Sequence, residues 1–326
     1  MNILLTALHY HDYTSNIANE LRSLGHQVKV YDIMPRTFFM KSLRIVSPDR
    51  WQGALDRHHE SIVDAETGNS YDLILFIQVH QISHANMVRF REAFPTSRFA
   101  LYNWDSISHH DYRPYLSYFD DVSTFDPEDA QTHRLHYLPL FAGREFQGLK
   151  RREQARQAVY FVGNIVNPAR YGAFDAFRAY CKREAIALQA FMVCTPPVWV
   201  RLFRAGYKPW GLAARPIDKA HFVEMVETSV AVFDFSNHTQ TGYTMRIFEN
   251  LCSGKKIITN NGRILAESFY SPDRVHVFKE TDYSGVKAFL ELPLADEGET
   301  FPAYHIQSFV RHLVEGTGHP LPPAAG

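Results

Sequence analysis

Residues 2–33 read NILLTALHYHDYTSNIANELRSLGHQVKVYDI and decide the fold of the first part of the chain. The first seven of these residues form a short continuous apolar run, which is typical of a buried strand. Ile17, Leu21 and Leu24 then recur at helical spacing before a glycine, and the last seven residues alternate as in a strand. The order strand, helix, strand predicts a β-α-β unit with a right-handed crossover, and therefore a parallel sheet.

The same succession of strand and helix patterns continues along the chain. Apolar or alternating runs predict further strands at residues 73–79, 98–103, 121–125, 135–138, 158–163, 188–194, 230–235 and 256–259. Helical spacing predicts helices at residues 84–94, 170–184, 219–227 and 241–253. Such alternation indicates doubly wound α/β domains.

Length and composition predict two domains. At roughly 150 residues per domain, a chain of 326 residues holds two. Residues 148–157 are a charged stretch between two apolar strands and are interpreted as a linker. We therefore predict a first domain over 1–147, a second over 158–315 and a flexible tail over 316–326. Ligands of such sheets bind beyond the carboxyl ends of the strands, so we expect the site in a cleft between the domains.

Composition excludes several classes of protein. Lys and Arg number 34 and Asp and Glu 35, so the positive surplus that dominates nucleic-acid affinity is missing. A hydrophobic content of 45% excludes a disordered chain. No apolar run reaches the roughly 20 residues that cross a bilayer, and the amino end does not resemble a secretion signal. We expect a cytoplasmic protein with reduced cysteines.

Histidine is the unusual count, at 17. The clusters His9/His11 and His109/His110 contain metal-ligating side chains. They have neither the i, i+4 spacing of a helical metal site nor a partner cysteine or carboxylate at a characteristic offset. We therefore predict no metal site.

The most informative stretch is TGYTMRIFENLCSG, residues 241–254, between two predicted strands. On a helix that begins near Thr241, one face carries Gly242, Arg246 and Glu249 at i, i+4 and i+7. The opposite face is apolar and packs. A carboxylate such as Glu249 can accept hydrogen bonds from both ribose hydroxyls of a nucleotide. The alternative is an ordinary amphipathic helix with a surface ion pair that contributes little.

The start of this predicted helix suits an anion. Gln240, Thr241 and Gly242 would place free backbone N–H groups, a hydroxyl and an unhindered glycine at the positive end of the helix dipole. Such a terminus is suited to a diphosphate.

Residues 241–259 resemble the donor-binding helix of GT-B glycosyltransferases, specifically bacterial enzymes of capsular polysaccharide, exopolysaccharide and lipopolysaccharide synthesis. The shared pattern is a glutamate, a few small or apolar residues, a glycine, one or two lysines and an apolar strand. Three more stretches of the chain resemble that group, namely residues 101–106, residues 124–129 with 137–141, and residues 160–164 followed by Arg170. The resemblance thus covers residues from about 100 to 260.

This resemblance implies two Rossmann-like domains that face each other across a cleft. It implies transfer of a sugar from a nucleotide-diphosphate sugar, bound by the second domain, to a glycan or lipid-linked acceptor in the first. The enzyme would serve bacterial surface polysaccharide synthesis and need no cofactor beyond its donor substrate. With such an acceptor, a peripheral contact with the inner face of the membrane stays open.

The resemblance also implies roles for single residues. Glu249 would bind the ribose, and Thr241, Gly242 and Thr244 the diphosphate. Gly163 would allow close approach of the backbone to the donor. Phosphate charge in a metal-independent enzyme needs cations, which Arg170 and Arg246 can supply. The residues predicted to bind the donor are Gly163, Arg170, Gln240, Thr241, Gly242, Thr244, Arg246 and Glu249.

Retaining GT-B enzymes often carry a second glutamate eight residues before the ribose-binding one, and here Thr241 stands at that position. We therefore expect inversion, which needs a general base on the acceptor side. Asp105 follows a predicted strand, and Asp12 and His11 follow the first one. These three residues are the catalytic candidates. Either aspartate can instead cap a helix.

Other functions remain open at this point. A nucleotide-sugar epimerase or hydrolase can share this architecture, and a non-catalytic binding protein would keep the helix without a base. An NAD-dependent oxidoreductase is disfavoured, because the turn after the first strand lacks Gly-x-Gly-x-x-Gly.

Overall fold

The computed structural model describes residues 1–8, 12–35, 37–149, 158–235, 241–295 and 298–322. The strands of these residues are β1 Asn2–Ala7, β2 Gln27–Asp32, β3 Leu73–Ile77, β4 Arg98–Asn103, β5 Asp121–Thr124, β6 His136–Tyr137, β7 Ala158–Ile165, β8 Ala187–Cys194, β9 Leu212–Ala213, β10 Ala231–Asp234, β11 Lys256–Thr259 and β12 Val275–Val277. The helices are α1 Tyr13–Ser23, α2 Phe38–Val46, α3 Pro48–Glu66, α4 His84–Ala93, α5 Pro127–His133, α6 Pro168–Arg183, α7 Pro196–Arg204, α8 Lys219–Glu227, α9 Met245–Cys252, α10 Val286–Glu291 and α11 Ile306–Glu315.

The chain divides into two units, each made of more than one segment. The first unit comprises Met1–Leu140, Thr239–Tyr243 and Ile306–Leu321, and the second comprises Phe141–His238, Thr244–His305 and Pro322–Gly326. Helix α11, which lies inside the second domain predicted over 158–315, belongs to the first unit. The change of unit also comes before the predicted linker, of which residues 150–157 lie outside the described ranges.

The first unit is built on a six-stranded sheet in the order β2-β1-β3-β4-β5-β6, with parallel neighbours throughout. In the register of the central strands, Leu5 lies between Val30 and Leu75. Every residue of β3 is buried, which explains its continuous apolar sequence, since helices cover both faces of a parallel sheet. The predicted β-α-β unit of residues 2–33 is confirmed.

Helix α11 returns late in the chain to complete this first unit. It buries Ile306, Phe309, Val310 and Leu313 on one face. Phe309 meets the buried Tyr102 of β4 edge to face, with ring centroids 4.9 Å apart. Burial of this apolar face, rather than proximity in sequence, assigns the helix to the first unit.

One buried carboxylate fixes the end of α3 in the first unit. Glu66 is 2% exposed and accepts hydrogen bonds from the hydroxyls of Tyr31 and Tyr71 and, at 2.9 Å, from Asn69 Nδ2. Lys29 Nζ lies 3.3 Å from Oε1, the same oxygen that accepts from Tyr31. Burial opposes ionisation of Glu66, but these donors outweigh it and lower the pKa to about 2.

The second unit contains another six-stranded parallel sheet, in the order β12-β11-β10-β7-β8-β9. Aromatic rings fill its core. Phe177 of α6 stacks on Phe233 of β10, with centroids 4.0 Å apart and planes within 5°. The predicted α/β class and the pair of doubly wound sheets are confirmed.

Further expectations concern the cysteines and the membrane. Cys181 and Cys252 are free thiols in the interior, as predicted, whereas the free thiol of Cys194 is only partly buried. Within the described ranges, no helix combines the length and the apolar character that crossing a bilayer requires.

Candidate functional site

The candidate site lies where the sheet of the second unit changes direction. From β7 the chain builds outward through β8 and β9, then returns to form β10 beside β7 and builds outward on the other side. Ligands of open α/β sheets bind beyond the carboxyl ends of the strands at this switch point. Gly163 lies near the carboxyl end of β7, and Asp234 is the last residue of β10.

Two arginine side chains converge on Gly163. A methyl group built on its Cα would lie 3.2 Å from Nη2 of Arg170 and 3.7 Å from Nη2 of Arg246. Arg170 comes from the first turn of α6 and Arg246 from the first turn of α9. A side chain at position 163 would occupy the space in front of both guanidinium groups, so the glycine leaves the backbone open there. Three residues predicted to bind the donor are thus brought together.

A buried carboxylate holds one of these arginines. Asp234 is 1% exposed, and its Oδ1 lies 3.3 Å from Nη1 of Arg246, whose side chain is 16% exposed. The hydroxyls of Thr244 and Thr259 donate to the same carboxylate at 3.3 and 3.4 Å. Asp234 is absent from the predicted site because residues 230–235 have the pattern of an apolar strand. An ionisable residue at the carboxyl end of a parallel strand was the available signal.

The predicted start of the donor helix is wrong. Helix α9 begins at Met245 with Thr244 at the N-cap, not near Thr241. The backbone N–H groups of Thr241 and Gly242 donate to Oδ2 of Asp126 at 2.9 and 3.4 Å, and the Thr241 hydroxyl donates to Oδ1. These donors are engaged within the first unit, so they do not form the free helix terminus that was expected for a diphosphate.

Gly242 also packs closely in the first unit. A methyl group at its Cα would lie 2.5 Å from the ring of Phe125 and 2.7 Å from its carbonyl oxygen. Asp126 itself caps α5 by accepting from the backbone N–H groups of Glu128 and Asp129. One carboxylate therefore fixes both a helix start and a segment 115 residues later in the chain.

Glu249 is more deeply placed than the helix pattern predicted. The face of α9 with Arg246 and Glu249 was expected to be open, yet Glu249 is 2% exposed and every residue from Ile247 to Cys252 is buried. Burial raises the pKa of Tyr160, and the nearby charge of Glu249 adds to the rise. The Tyr160 hydroxyl accepts from Nδ2 of Asn250 at 2.6 Å.

A cleft of about 800 Å³ opens at the same edge of the second unit. It is lined by residues that follow three strands and by the first turns of α6. These lining residues include Ala169, Gly172, Tyr207, Phe235, Asn260, Phe278 and Lys279. Ala169 and Gly172 come from the first turns of α6, the helix that also carries Arg170. The volume lies within the ~300–1,000 Å³ range typical of small-molecule sites.

The catalytic candidates lie in the first unit. Asp105 follows β4 and accepts a hydrogen bond from Nε2 of Gln78, a buried residue with φ of +64° directly after β3. A left-handed backbone at a residue other than glycine is strained, and such strain concentrates at functional sites. Asp12 is exposed at the N-cap of α1 and makes no side-chain capping bond. The predicted His11 and Gln240 lie outside the described residues.

A stacked histidine pair lies near this strand end. The rings of His80 and His110 are parallel, with centroids 3.7 Å apart. Burial lowers the pKa of His80 to about 4, and the neighbouring His110 adds to the effect. Among the residues that the structure describes, no three His, Cys, Asp or Glu side chains cluster so that they could hold a metal ion.

The chain is similar to known proteins in its structure but not in its sequence. No protein-family model and no curated protein sequence matches the chain. The lipopolysaccharide outer core galactosyltransferase WaaB in its apo form matches over 97% of this chain and 99% of its own, with a TM-score of 0.56 and 12% identity. An α-glucosyltransferase in complex with UDP and a 13-mer DNA matches over 98% and 96%, with a TM-score of 0.61 and 10% identity.

A third similar structure is named for another activity. A protein assigned as a UDP-N-acetylglucosamine 2-epimerase from Listeria monocytogenes matches over 96% of this chain and 94% of its own, with a TM-score of 0.57 and 10% identity. At these identities the likeness concerns the fold. The two doubly wound sheets and the full-length structural matches together show that the chain has the GT-B fold.

Proposed function

We propose that the protein is a glycosyltransferase whose second unit binds a nucleotide-diphosphate sugar. The observation that carries the proposal is the convergence of Arg170 and Arg246 on Gly163 at the switch point of the second sheet. Two guanidinium groups in front of an open backbone suit a diphosphate, because arginine pairs with phosphate oxygens through two parallel hydrogen bonds. In this proposal the arginines, not the backbone of Thr241 and Gly242, hold the leaving group.

The arginines also supply the chemistry of transfer. When the bond between sugar and diphosphate breaks, negative charge develops on the leaving phosphate, and fixed cations lower the energy of that state. Asp234 keeps one cation in place before the donor arrives, so little reorganisation is needed. The proposed transfer is therefore independent of a divalent metal.

The cleft is the proposed site of the nucleoside, because it opens at the carboxyl ends of β10, β11 and β12 and is lined by Tyr207, Phe235 and Phe278. Aromatic rings can stack on a base. Glu249 remains the proposed partner of the ribose, on the strength of the sequence resemblance. Thr244, at the N-cap of α9, stays a proposed diphosphate contact.

The proposed acceptor is a glycan or lipid-linked glycan of bacterial surface polysaccharide synthesis, bound by the first unit. Asp105 is the proposed general base of an inverting transfer, with Asp12 and His11 as alternatives. The hydrogen bond from Gln78 would hold the Asp105 carboxylate in one orientation.

Binding of UDP, GDP and ADP, measured by titration calorimetry, tests the donor site. Loss of one hydrogen bond to a charged group costs about 1.5–3 kcal/mol, so Arg170→Gln should weaken the preferred diphosphate by about 10- to 150-fold. Its effect on the matching nucleoside should be small, because the nucleoside lacks phosphate. Arg183→Gln, at the exposed end of the same helix, is the matched control. Equal affinity of Arg170→Gln and wild type for the diphosphate would refute the assignment.

The competing function is a nucleotide-sugar epimerase or hydrolase. It is supported by a structural neighbour that is named as an epimerase. Product analysis separates the two. A transferase leaves the sugar on an acceptor and releases free nucleotide. An epimerase returns an altered nucleotide-sugar and needs no acceptor. Binding without turnover of any donor would favour a non-catalytic protein.

A further inference from the structure

Helix α7 of the second unit carries an apolar face that points away from the core. Val198 and Leu202 face inward and are 6% and 0% exposed. On the opposite face, Trp199, Val200 and Phe203 are 46%, 41% and 62% exposed. The rings of Trp199 and Phe203 lie nearly parallel, with centroids 6.1 Å apart, so they form one continuous apolar surface. Large aromatic side chains grouped in this way on a surface usually mark a binding region.

The stretch of sequence that contains α7 carries charge of one sign. Residues 185–217 contain no aspartate or glutamate. The exposed basic residues of this stretch are Arg201, Arg204, Lys208 and Arg215. On the helix, Arg204 and Arg201 lie along one flank of the apolar face, as 100° per residue requires. A second exposed tryptophan, Trp210, lies in the same stretch with 55% exposure. We call Trp199, Val200, Phe203, Arg201 and Arg204 the α7 surface.

We propose that the α7 surface docks on a membrane that contains anionic lipids. A helix with apolar and aromatic side chains on one face and arginines beside them lies in the interface of a bilayer, where the rings enter the headgroup region and the guanidinium groups meet lipid phosphates. Long arginine side chains can reach the phosphates while their aliphatic parts stay in the apolar layer. The absence of acidic residues from the whole stretch favours a negatively charged partner over a mixed protein surface.

A second copy of the chain is the other occupant to consider, and area and charge argue against it. The exposed parts of Trp199 and Phe203 with Val200 offer roughly 300 Å², since an aromatic side chain presents ~150–250 Å² in full. A stable dimer buries about 800 Å² on each partner. In a two-fold dimer centred on α7, Arg201 and Arg204 of both copies would also face each other, and like charges repel.

Sedimentation of the full chain with lipid vesicles tests the proposal. Vesicles of phosphatidylcholine and phosphatidylglycerol in equal parts should bind the protein, and vesicles of phosphatidylcholine alone should bind it much more weakly. Each arginine near an anionic surface contributes about fivefold in affinity, so Arg201→Gln with Arg204→Gln should weaken binding by about 30-fold. Trp199→Ser with Phe203→Ser should also reduce binding, because the rings supply the apolar anchor.

The matched control lies on the other unit. Ile45 and Val46 of α2 are 83% and 81% exposed, so Ile45→Ser with Val46→Ser removes a similar apolar area elsewhere. That variant should bind vesicles as wild type does, and nucleotide affinity of the α7 variants should be unchanged, which verifies their folding. The proposal fails if wild type does not sediment with the mixed vesicles, if the α7 variants bind them normally, or if wild type forms a dimer that Trp199→Ser with Phe203→Ser dissociates.

Discussion

The ion pair between Asp234 and Arg246 should stabilise the second unit by a measurable amount. Unit charges 3.3 Å apart attract by about 5 kcal/mol at an effective dielectric constant of about 20. Removing one partner of a buried pair costs about 3–5 kcal/mol, because the other charge is left in the interior. Arg246 keeps 16% exposure, so its charge stays partly hydrated and the lower end applies. Asp234→Asn, which preserves the shape of the side chain, should lower the free energy of unfolding by about 3 kcal/mol.

Urea denaturation followed by tryptophan fluorescence measures this loss, and a double-mutant cycle with Arg246→Met isolates the pair. We expect a coupling energy of about 2–3 kcal/mol, since the double variant leaves no uncompensated charge. Asp218→Asn is the matched control: Asp218 caps α8 at an exposed position, and asparagine caps a helix about as well as aspartate. It should change stability by less than about 0.5 kcal/mol. A coupling energy below about 0.5 kcal/mol would refute the view that Asp234 fixes Arg246.

The remaining predictions concern packing, pH and catalysis. Gly242→Ala should destabilise the protein by about 1–3 kcal/mol because the new methyl group meets Phe125, whereas Gly262→Ala, with nothing within 4 Å, should not; equal thermal stability of the two variants would contradict this. Glu66, whose pKa is lowered from 4.5 to about 2, stabilises the fold above pH 4.5, and this contribution disappears as the pH falls toward 2. The difference in unfolding free energy between wild type and Glu66→Gln should therefore shrink over that range, and a constant difference would speak against it. Asp105→Asn should reduce turnover by about 10²–10⁴-fold with normal donor binding if Asp105 is the base, and near-normal turnover would exclude it. Transfer activity should survive exhaustive chelation; loss that Mg²⁺ or Mn²⁺ restores would overturn metal independence.

Local pattern was sufficient for ten of the twelve strands of the described residues, but β9, β12 and several helices, among them the 19-residue α3 and α11, were not predicted. The run at residues 73–79 became β3, and helical spacing at 219–227 matched α8 to the residue. In both segments, the spacing of the apolar residues predicted from the sequence is the spacing that the folded protein uses to pack them. The wrong start of α9 has a different origin. Thr241 and Thr244 can each cap a helix, and the choice is made by hydrogen bonds from Thr241 to Asp126, far away in sequence.

The candidate site was predictable only in part, because local sequence does not show which distant elements meet. Gly163, Arg170 and Arg246 were identified from the sequence resemblance, but their convergence depends on three elements distant in sequence. The role of Asp234 required knowing which strands are neighbours at the switch point, and that strand order is not visible in any local pattern. The burial of Glu249 was missed because helical spacing defines faces without stating which elements cover them.

The return of α11 to the first unit has a consequence for how the protein is made. Residues 306–321 leave the ribosome only after Phe141–His238 and Thr244–His305 of the second unit, so the first unit cannot reach its final packing until those residues have been made. Until then, the surface that receives Phe309 beside Tyr102 is open, and chaperones have time to act on it. A chain shortened by a nonsense mutation before residue 306 would keep both sheets yet expose that surface permanently. Quality-control proteases could then recognise chains that lack α11 by the exposed surface of the first unit.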